Sequence, residues 1–395
     1  MSARAARAFA TASAAERRVI AVLGVVGLLL IIGLLAGGIG PAYLLYLLGL
    51  SGMYILLAVG LNVQWGYAGL INFSVAAFFG LGAYGTAMLT ASNTPLGVSL
   101  SPLFGLLVGI LLAAVVAVLI AVPTLRLRAD YLAIASLGLA EVIRIVIQNQ
   151  RGLTNGNAGL RGLPLFYGEW PLIGGLVDRL PTVLIYEVSL GPVTLLGLRL
   201  GRSVWVGTFN LLIATALIAV VYLVVRRLHR SPWGRLLRTI RADEDLARAL
   251  GKRTYRRKME AFVLGSVIMA IAGVYYAHLN LFVTPQNLAP INTFYVWVAV
   301  ILGGAGSNRG AVFGGFMIIA IREGTRFLGD LLPATITVGV DLIDTTYATV
   351  AANFAATRLL AVGLLIILVI RLRPEGLLPP EAELIWPAAQ EEADG

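Results

Sequence analysis

Ten apolar runs of spanning length, separated by short basic loops, restrict the fold of this chain more than any other feature. They lie near residues 19 to 39, 42 to 64, 70 to 91, 103 to 122, 131 to 149, 209 to 228, 259 to 281, 293 to 305, 310 to 328 and 351 to 370. A segment surrounded by hydrocarbon must satisfy its own backbone hydrogen bonds, which predicts helices for these runs. Composition agrees: 58% of the 395 residues are hydrophobic and 13% are charged, too few polar side chains to coat a water-soluble globule of this size. The expected fold is an all-α polytopic membrane protein of about ten transmembrane helices, some of them broken or re-entrant.

The cations set the orientation. Residues 226 to 258 hold twelve of the thirty Lys and Arg, against three acids, Asp243, Glu244 and Asp245. The positive-inside rule places this loop, Arg126 and Arg128, Arg371 and Arg373, and the N-terminal Arg4, Arg7, Arg17 and Arg18 in the cytoplasm, and an even number of crossings returns both termini there. The run from Val19 exceeds the roughly 7 to 15 apolar residues of a signal peptide, so it is expected to be a retained first helix. The net charge of +10 is thus a matter of membrane orientation, and no nucleic-acid partner is expected. No cysteine and two histidines, His229 and His278, leave no disulfide, thiol nucleophile or His/Cys metal cluster. The chain divides into a cytoplasmic tail at 1–18, one membrane domain at 19–378 and a cytoplasmic tail at 379–395. Within the domain, 229–258 is a cytoplasmic loop, and 151–208 and 329–350 lie outside. The Pro- and Gly-punctuated part of 151–208 fits either short helices or a strand pair.

The basic loop has internal order. Ala242 to Leu250 reads as a short helix with Asp243, Glu244 and Asp245 in its first turn and Gly251 at its stop, a surface suited to a protein partner. Two glycine-dense segments, Gly66 to Gly85 and Gly303 to Gly315, bring small residues and amides to membrane depth, where irregular backbone persists only inside protein or along a cavity. Gly66, Gly69 and Gly80 in the first, and Gly303, Gly304, Gly306, Gly310 and Gly314 in the second, are read as helix-packing glycines. Both segments contain G-x-A-G, a faint internal echo.

Enzyme motifs fail on context. Gly80 to Gly85 matches G-x-G-x-x-G, but it lies in an apolar helix rather than after a strand, and the next acid is Asp130. Ala249 to Thr254 resembles the end of a phosphate loop, yet Leu246 stands where its first glycine belongs. No nucleophile elbow and no acid pair within a span was identified. Polar residues remain: Asn62, Gln64, Asn72 and Ser74 at the first glycine-rich segment, and Glu141 and Arg144 at i, i+3. They are read as interhelical hydrogen bonds and as an ion pair locking two helices, or alternatively as parts of a solute path. His278 and Asn280 are expected at the outer interface.

These segments, taken together, resemble the inner-membrane permeases of ABC importers for branched-chain amino acids, of the LivM type. The resemblance runs from about Tyr43 to Leu377 and is carried, in order, by segments beginning at Leu61, Leu125, Thr154, Ser231, Ile301 and Arg373. It implies a bacterial inner-membrane half-transporter with no cofactor of its own. Its partners would be a sister permease, two ATPase subunits carrying ATP and Mg, a periplasmic solute-binding protein and membrane lipid. It further implies an ATPase-docking helix with the pattern E-A-A-x-x-x-G, here Asp245, Leu246, Ala247 and Gly251, flanked by Asp243, Glu244 and Leu250. Leu246 departs from the pattern, as does Asn155, where glycine is usual; similar permeases serve urea and short amides. A secondary transporter would need coupling-ion acids within its spans, and Glu141, neutralised by Arg144, serves that role poorly.

Overall fold

A computed structural model describes residues 14–331 apart from 36–39, 128, 171–174 and 191–192, together with scattered positions between 349 and 372 and the segment 375–380. Helix α1 is Ala14–Leu35, and α2, Pro41–Leu61, opens with proline at its first position and runs into a π-helical turn, Asn62–Tyr67. Then come α3 (Val75–Thr90), α4 (Pro102–Thr124) and α5 (Ala129–Asn149). Strand β1 (Leu160–Arg161) and the hairpin β2 (Val183–Leu190) and β3 (Val193–Leu200) follow. The second half consists of α6 (Arg202–Arg230), α7 (Pro232–Ala242), α8 (Glu244–Ala249), α9 (Thr254–Asn280), β4 (Phe282–Val283), α10 (Pro290–Gly303) and α11 (Asn308–Leu331).

Helices α2, α3 and α9 form the centre, with α10 and α11 packed as a hairpin against α2. The most apolar stretches of α2 with its π turn and of α9 are 78% and 67% buried, whereas those of α4 and α6 are 28% and 22% buried. Leu107, Leu111 and Leu119 of α4 point outward, each more than half exposed. Such a stripe is a liability in water and the ordinary surface of a helix in lipid. Among the described residues, α2 with its π turn, α4, α6 and α9 are long and apolar enough to cross a membrane, and Val19–Leu28, α3 and α10 are shorter apolar helices. The expected tenth span, 351 to 370, and the outer segment 329–350 lie largely outside the described residues.

Glycine sets how closely the central helices approach. A Cβ on Gly314 would sit 1.8 Å from the Ala299 carbonyl oxygen, so α11 can lie against α10 only without a side chain there. Gly82, central in the dinucleotide look-alike, would bring a Cβ within 2.1 Å of Ala270 O in α9, so the motif is a helix crossing.

One open alternative is decided and two expectations need correction. The outer region 151–208 contains strands: β2 and β3 pair antiparallel with irregular register at Leu184/Tyr186 and Val188/Ser189, and β1 pairs with β4. His278 is not an interfacial tip but 1% exposed; its ring nitrogens meet the Thr86 hydroxyl at 3.0 Å and the Pro164 carbonyl at 2.8 Å. The segment around Pro164, 114 residues earlier, folds over this end of α9, which no local pattern announces. Glu141 and Arg144 lock no second helix, because Arg144 Nε reaches Glu141 at 2.8 Å within α5 and Nη1 reaches Gln148 one turn on.

Candidate functional site

The basic loop folds into two helices set at an angle, not one. Ser231 and Pro232 start α7, which buries Gly234, Leu237 and Ile240 and leaves Arg235 exposed. Asp243 then breaks the helix with extended backbone (φ −156°, ψ 104°), and its carboxylate accepts the Leu246 N–H at 2.9 Å as the cap of α8. At the other end Gly251 takes φ +72°; its N–H donates to Arg248 O and that of Lys252 to Ala247 O, a Schellman stop. Only Ala247 of α8 is buried, while Leu246 (53%) and Leu250 (64%) stand out one turn apart. Two apolar side chains held on a capped six-residue helix make a small rigid knob. Glu244 ties the knob to α9 through Lys258 Nζ at 2.9 Å; burial raises the carboxyl pKa, but Lys258 and its neighbours outweigh this and hold it below the ordinary Glu range.

Arg241, two residues before the cap, reaches the other way. Its Nη1 donates to the carbonyl of Gly66 in the π turn and packs against Gly306, while its side-chain stem lies against Gly69. Gly306 (φ 95°) and Gly304 (φ 112°) shape the tight turn between α10 and α11, where any other residue would be strained. The returning segment closes the same turn: Leu377 and Leu378 N–H groups donate to Leu302 and Gly303 carbonyls. One arginine therefore bridges the knob and both glycine-dense breaks.

Behind it lies a closed polar network. Asn62 Oδ1 accepts the Gly306 N–H at 2.7 Å, and Tyr67 and Asn62 both bond Asn308. Gln64 donates to Phe262 O at 2.7 Å and Ser266 at 3.1 Å and accepts from Asn72 at 2.7 Å; Asn72 in turn accepts the Ser74 N–H at 2.8 Å. The four polar residues singled out in the sequence, Asn62, Gln64, Asn72 and Ser74, are all fully buried. Each is engaged by another helix or by a neighbour in the network, so this network joins the helices in the manner of a staple.

The open polar space lies elsewhere. A cavity of about 150 Å³ is lined by Tyr46, Tyr54, Tyr276, Asn287, Asn292 and Arg322 on its polar side, and by Leu50, Met53, Leu57, Val75, Ala76 and Phe79 on its apolar side. Tyr276 is about 33 Å along α9 from Thr254 at 1.5 Å per residue, so the cavity occupies the end of the bundle remote from α8. Neither Asn62, Gln64, Asn72 and Ser74 nor Glu141 and Arg144 lines it. Arg322 Nη1 donates to the Tyr54 hydroxyl at 3.0 Å and Nε to Glu323 at 3.0 Å, and the guanidinium lies 5.7 Å and 5.4 Å from the ring centres of Tyr54 and Tyr295. A signal for this site existed in the sequence: Arg322 and Glu323 are adjacent ionisable residues inside the apolar run 310 to 328, where charge is costly. Glu141 is therefore not the sole acid within the expected spans.

The departure at Asn155 changes little locally. Asn155 adopts φ 61°, ψ 14°, the left-handed backbone that asparagine tolerates better than other non-glycine residues, so the turn keeps a glycine-like shape.

Comparison with known proteins matches residues 43–370 to the family model described as the permease component of branched-chain amino acid transport systems. The high-affinity branched-chain amino acid transport permease protein LivM of Escherichia coli K12 is 30% identical over 84% of this chain and 68% of its own length. The probable LivM of Methanocaldococcus jannaschii is 25% identical over 85% of this chain and 93% of its own. LivH of Salmonella typhimurium is 26% identical over 69% and 82%, so both permease types of such systems resemble this chain. With exposed apolar helices around a glycine-packed centre and a family match over most of its length, the chain belongs to the polytopic permease components of branched-chain amino acid transport systems.

Proposed function

We propose that this chain is half of the translocation path of an ABC importer for branched-chain or other hydrophobic amino acids, and that α8 is the point at which ATPase subunits drive it. The observation that carries this reading is Arg241, which joins the α7–α8 corner to the π turn at Gly66 and the turn at Gly306. A groove that holds Leu246 and Leu250 displaces α8 when the ATPase subunits close on ATP and Mg. Because α8 is capped at both ends and tied to α9 through Glu244 and Lys258, it moves as a lever rather than unwinding. Arg241 passes that motion to both breaks at once, and the helices on either side of them change angle. A sister permease supplies the other half of the path, and a periplasmic binding protein delivers solute to the side remote from α8. The chain then sits in a bacterial inner membrane with both termini in the cytoplasm. The alternative reading is a related importer for urea or short amides.

Two substitutions test the docking role in the assembled complex. Asp245→Arg inverts an exposed charge on α8, and Gly251→Leu forces a side chain into φ +72° at its stop. Both are expected to reduce co-purification with the ATPase subunits and solute-stimulated ATP hydrolysis. Undiminished assembly and stimulation in both variants would remove α8 from the coupling path.

A further inference from the structure

We propose that the Arg322 cavity is a transit site for the zwitterionic end of the solute, with the guanidinium receiving the carboxylate. The inference rests on the amino-acid reading above and adds to it the residues that meet cargo. Charge within an apolar helix is expensive and is retained where it meets a partner or a wet cavity; Arg322 has both, since Glu323 and Tyr54 hold it while its side chain lines open space. A structural ion pair alone needs no cavity beside it. This one measures about 150 Å³, well above the roughly 10–15 Å³ that a single water needs.

The walls divide as an amino acid does. Arg322 offers the planar fork that matches a carboxylate. Tyr46, Tyr276, Asn287 and Asn292 carry oxygens and aromatic rings of the kind an ammonium prefers; Tyr46 is bonded to Asn280, Tyr54 to Asn292 and Asn287 to Tyr276, so an ammonium would share these oxygens with their present partners. On the opposite side Leu50, Met53, Leu57 and Phe79 form an apolar wall of the kind a branched side chain prefers. The charge balance also suits passage. Arg322 and Glu323 together are neutral, as is a zwitterion, so the solute carboxylate can share or replace existing partners of Arg322 without adding net charge to the membrane interior. The cavity spans from Tyr46, near the start of α2, to Leu57, near its end, so a solute entering from the remote side reaches mid-helix before meeting the sealed Asn62 network.

The test uses the full complex in proteoliposomes, with sister permease, ATPase subunits and leucine-loaded binding protein, and reads leucine delivered per ATP hydrolysed. Arg322→Gln is expected to lower this ratio at least about tenfold, the scale of one lost charge-assisted contact, and Arg322→Lys to restore part of it. Asn292→Asp places a fixed carboxylate beside the cavity, where it competes for the guanidinium, and is expected to lower the ratio by a similar factor. That second variant carries the test if Arg322→Gln does not assemble. A ratio equal to wild type in any assembled variant of Arg322→Gln or Asn292→Asp overturns the site. A loss in Arg322→Gln that Arg322→Lys leaves unrelieved also overturns the charge assignment. A wild-type complex that moves no amino acid overturns the transport reading, and this site falls with it.

Discussion

Two polar regions lie within this apolar chain, and they are built in opposite ways. Around Asn62, Gln64, Asn72 and Ser74 all four side chains are buried and bonded to another helix or a neighbour, and none of them lines the Arg322 cavity. Around Arg322 the polar groups border open space and share the boundary with an apolar wall. The first region holds backbone irregularity in place; the second can admit a guest. Polarity in a membrane chain is therefore no guide to a solute path until its hydrogen-bond partners are known. A network closed on itself adds rigidity, and a bonded polar boundary that still borders open space can add recognition.

That contrast can be broken by substitution. The largest effect is expected at Asn62→Leu, which strands the Gly306 N–H and an Asn308 contact in the sealed region; a loss of roughly 2–5 kcal/mol would appear as a lowered unfolding temperature of the detergent-purified chain. Next is Arg241→Ala, which removes a charged donor from the Gly66 carbonyl. About 1.5–3 kcal/mol is at stake there, and ATP hydrolysis is expected to lose its response to loaded binding protein. Asp243→Ala removes the cap of α8 for about 1 kcal/mol, measurable as faster amide exchange confined to residues 244–250. Asn292→Ala, on the open cavity, is expected to cost less than about 1 kcal/mol of stability, since water can replace the amide. If it destabilises as much as Asn62→Leu, the two regions are not different in kind.

The smallest effect concerns pH. Glu244 is held below its ordinary range, so its pairing with Lys258 contributes above the unfolded carboxyl value and is lost as pH falls through the folded one. Exchange protection of α8 is expected to stay constant from pH 7 to about 5, then to fall by about a few tenths of a kcal/mol for this partly buried pair, below the usual Glu value of about 4.3.

Much of the basic loop was open to reading from residues alone. The acids at 243–245 and glycine at 251 are local signals with local causes, an end-charge preference and a left-handed stop, and the short helix lies within two residues of where they place it. The division of the loop at Asp243 was not, because Arg241 and Ala242 continue a helical pattern and only the cap geometry turns the chain. The cavity was less accessible still. Its lining comes from α2, α3, α9, α11 and the segment around Asn287, residues far apart in sequence whose proximity no local pattern encodes. Arg322 and Glu323 offered a hint, since adjacent charges in an apolar run ask for an explanation.

The sequence by itself determined that this chain lives in a membrane, which of its described apolar runs are helical and where a capped helix interrupts the basic loop, and its cations set the expectation of how it is oriented. Those properties follow from transfer free energy, loop charge and backbone preference, all of which act over one segment at a time. The tertiary structure alone decided which apolar helices are central and which are peripheral, since α2 and α6 are alike in hydropathy and differ in burial. It also decided that His278 is buried, that 183–200 is a hairpin, and that one polar set is sealed while another borders a cavity. Each of those depends on what a distant segment places opposite, and glycine contacts such as Gly314 against Ala299 set how near that segment can come.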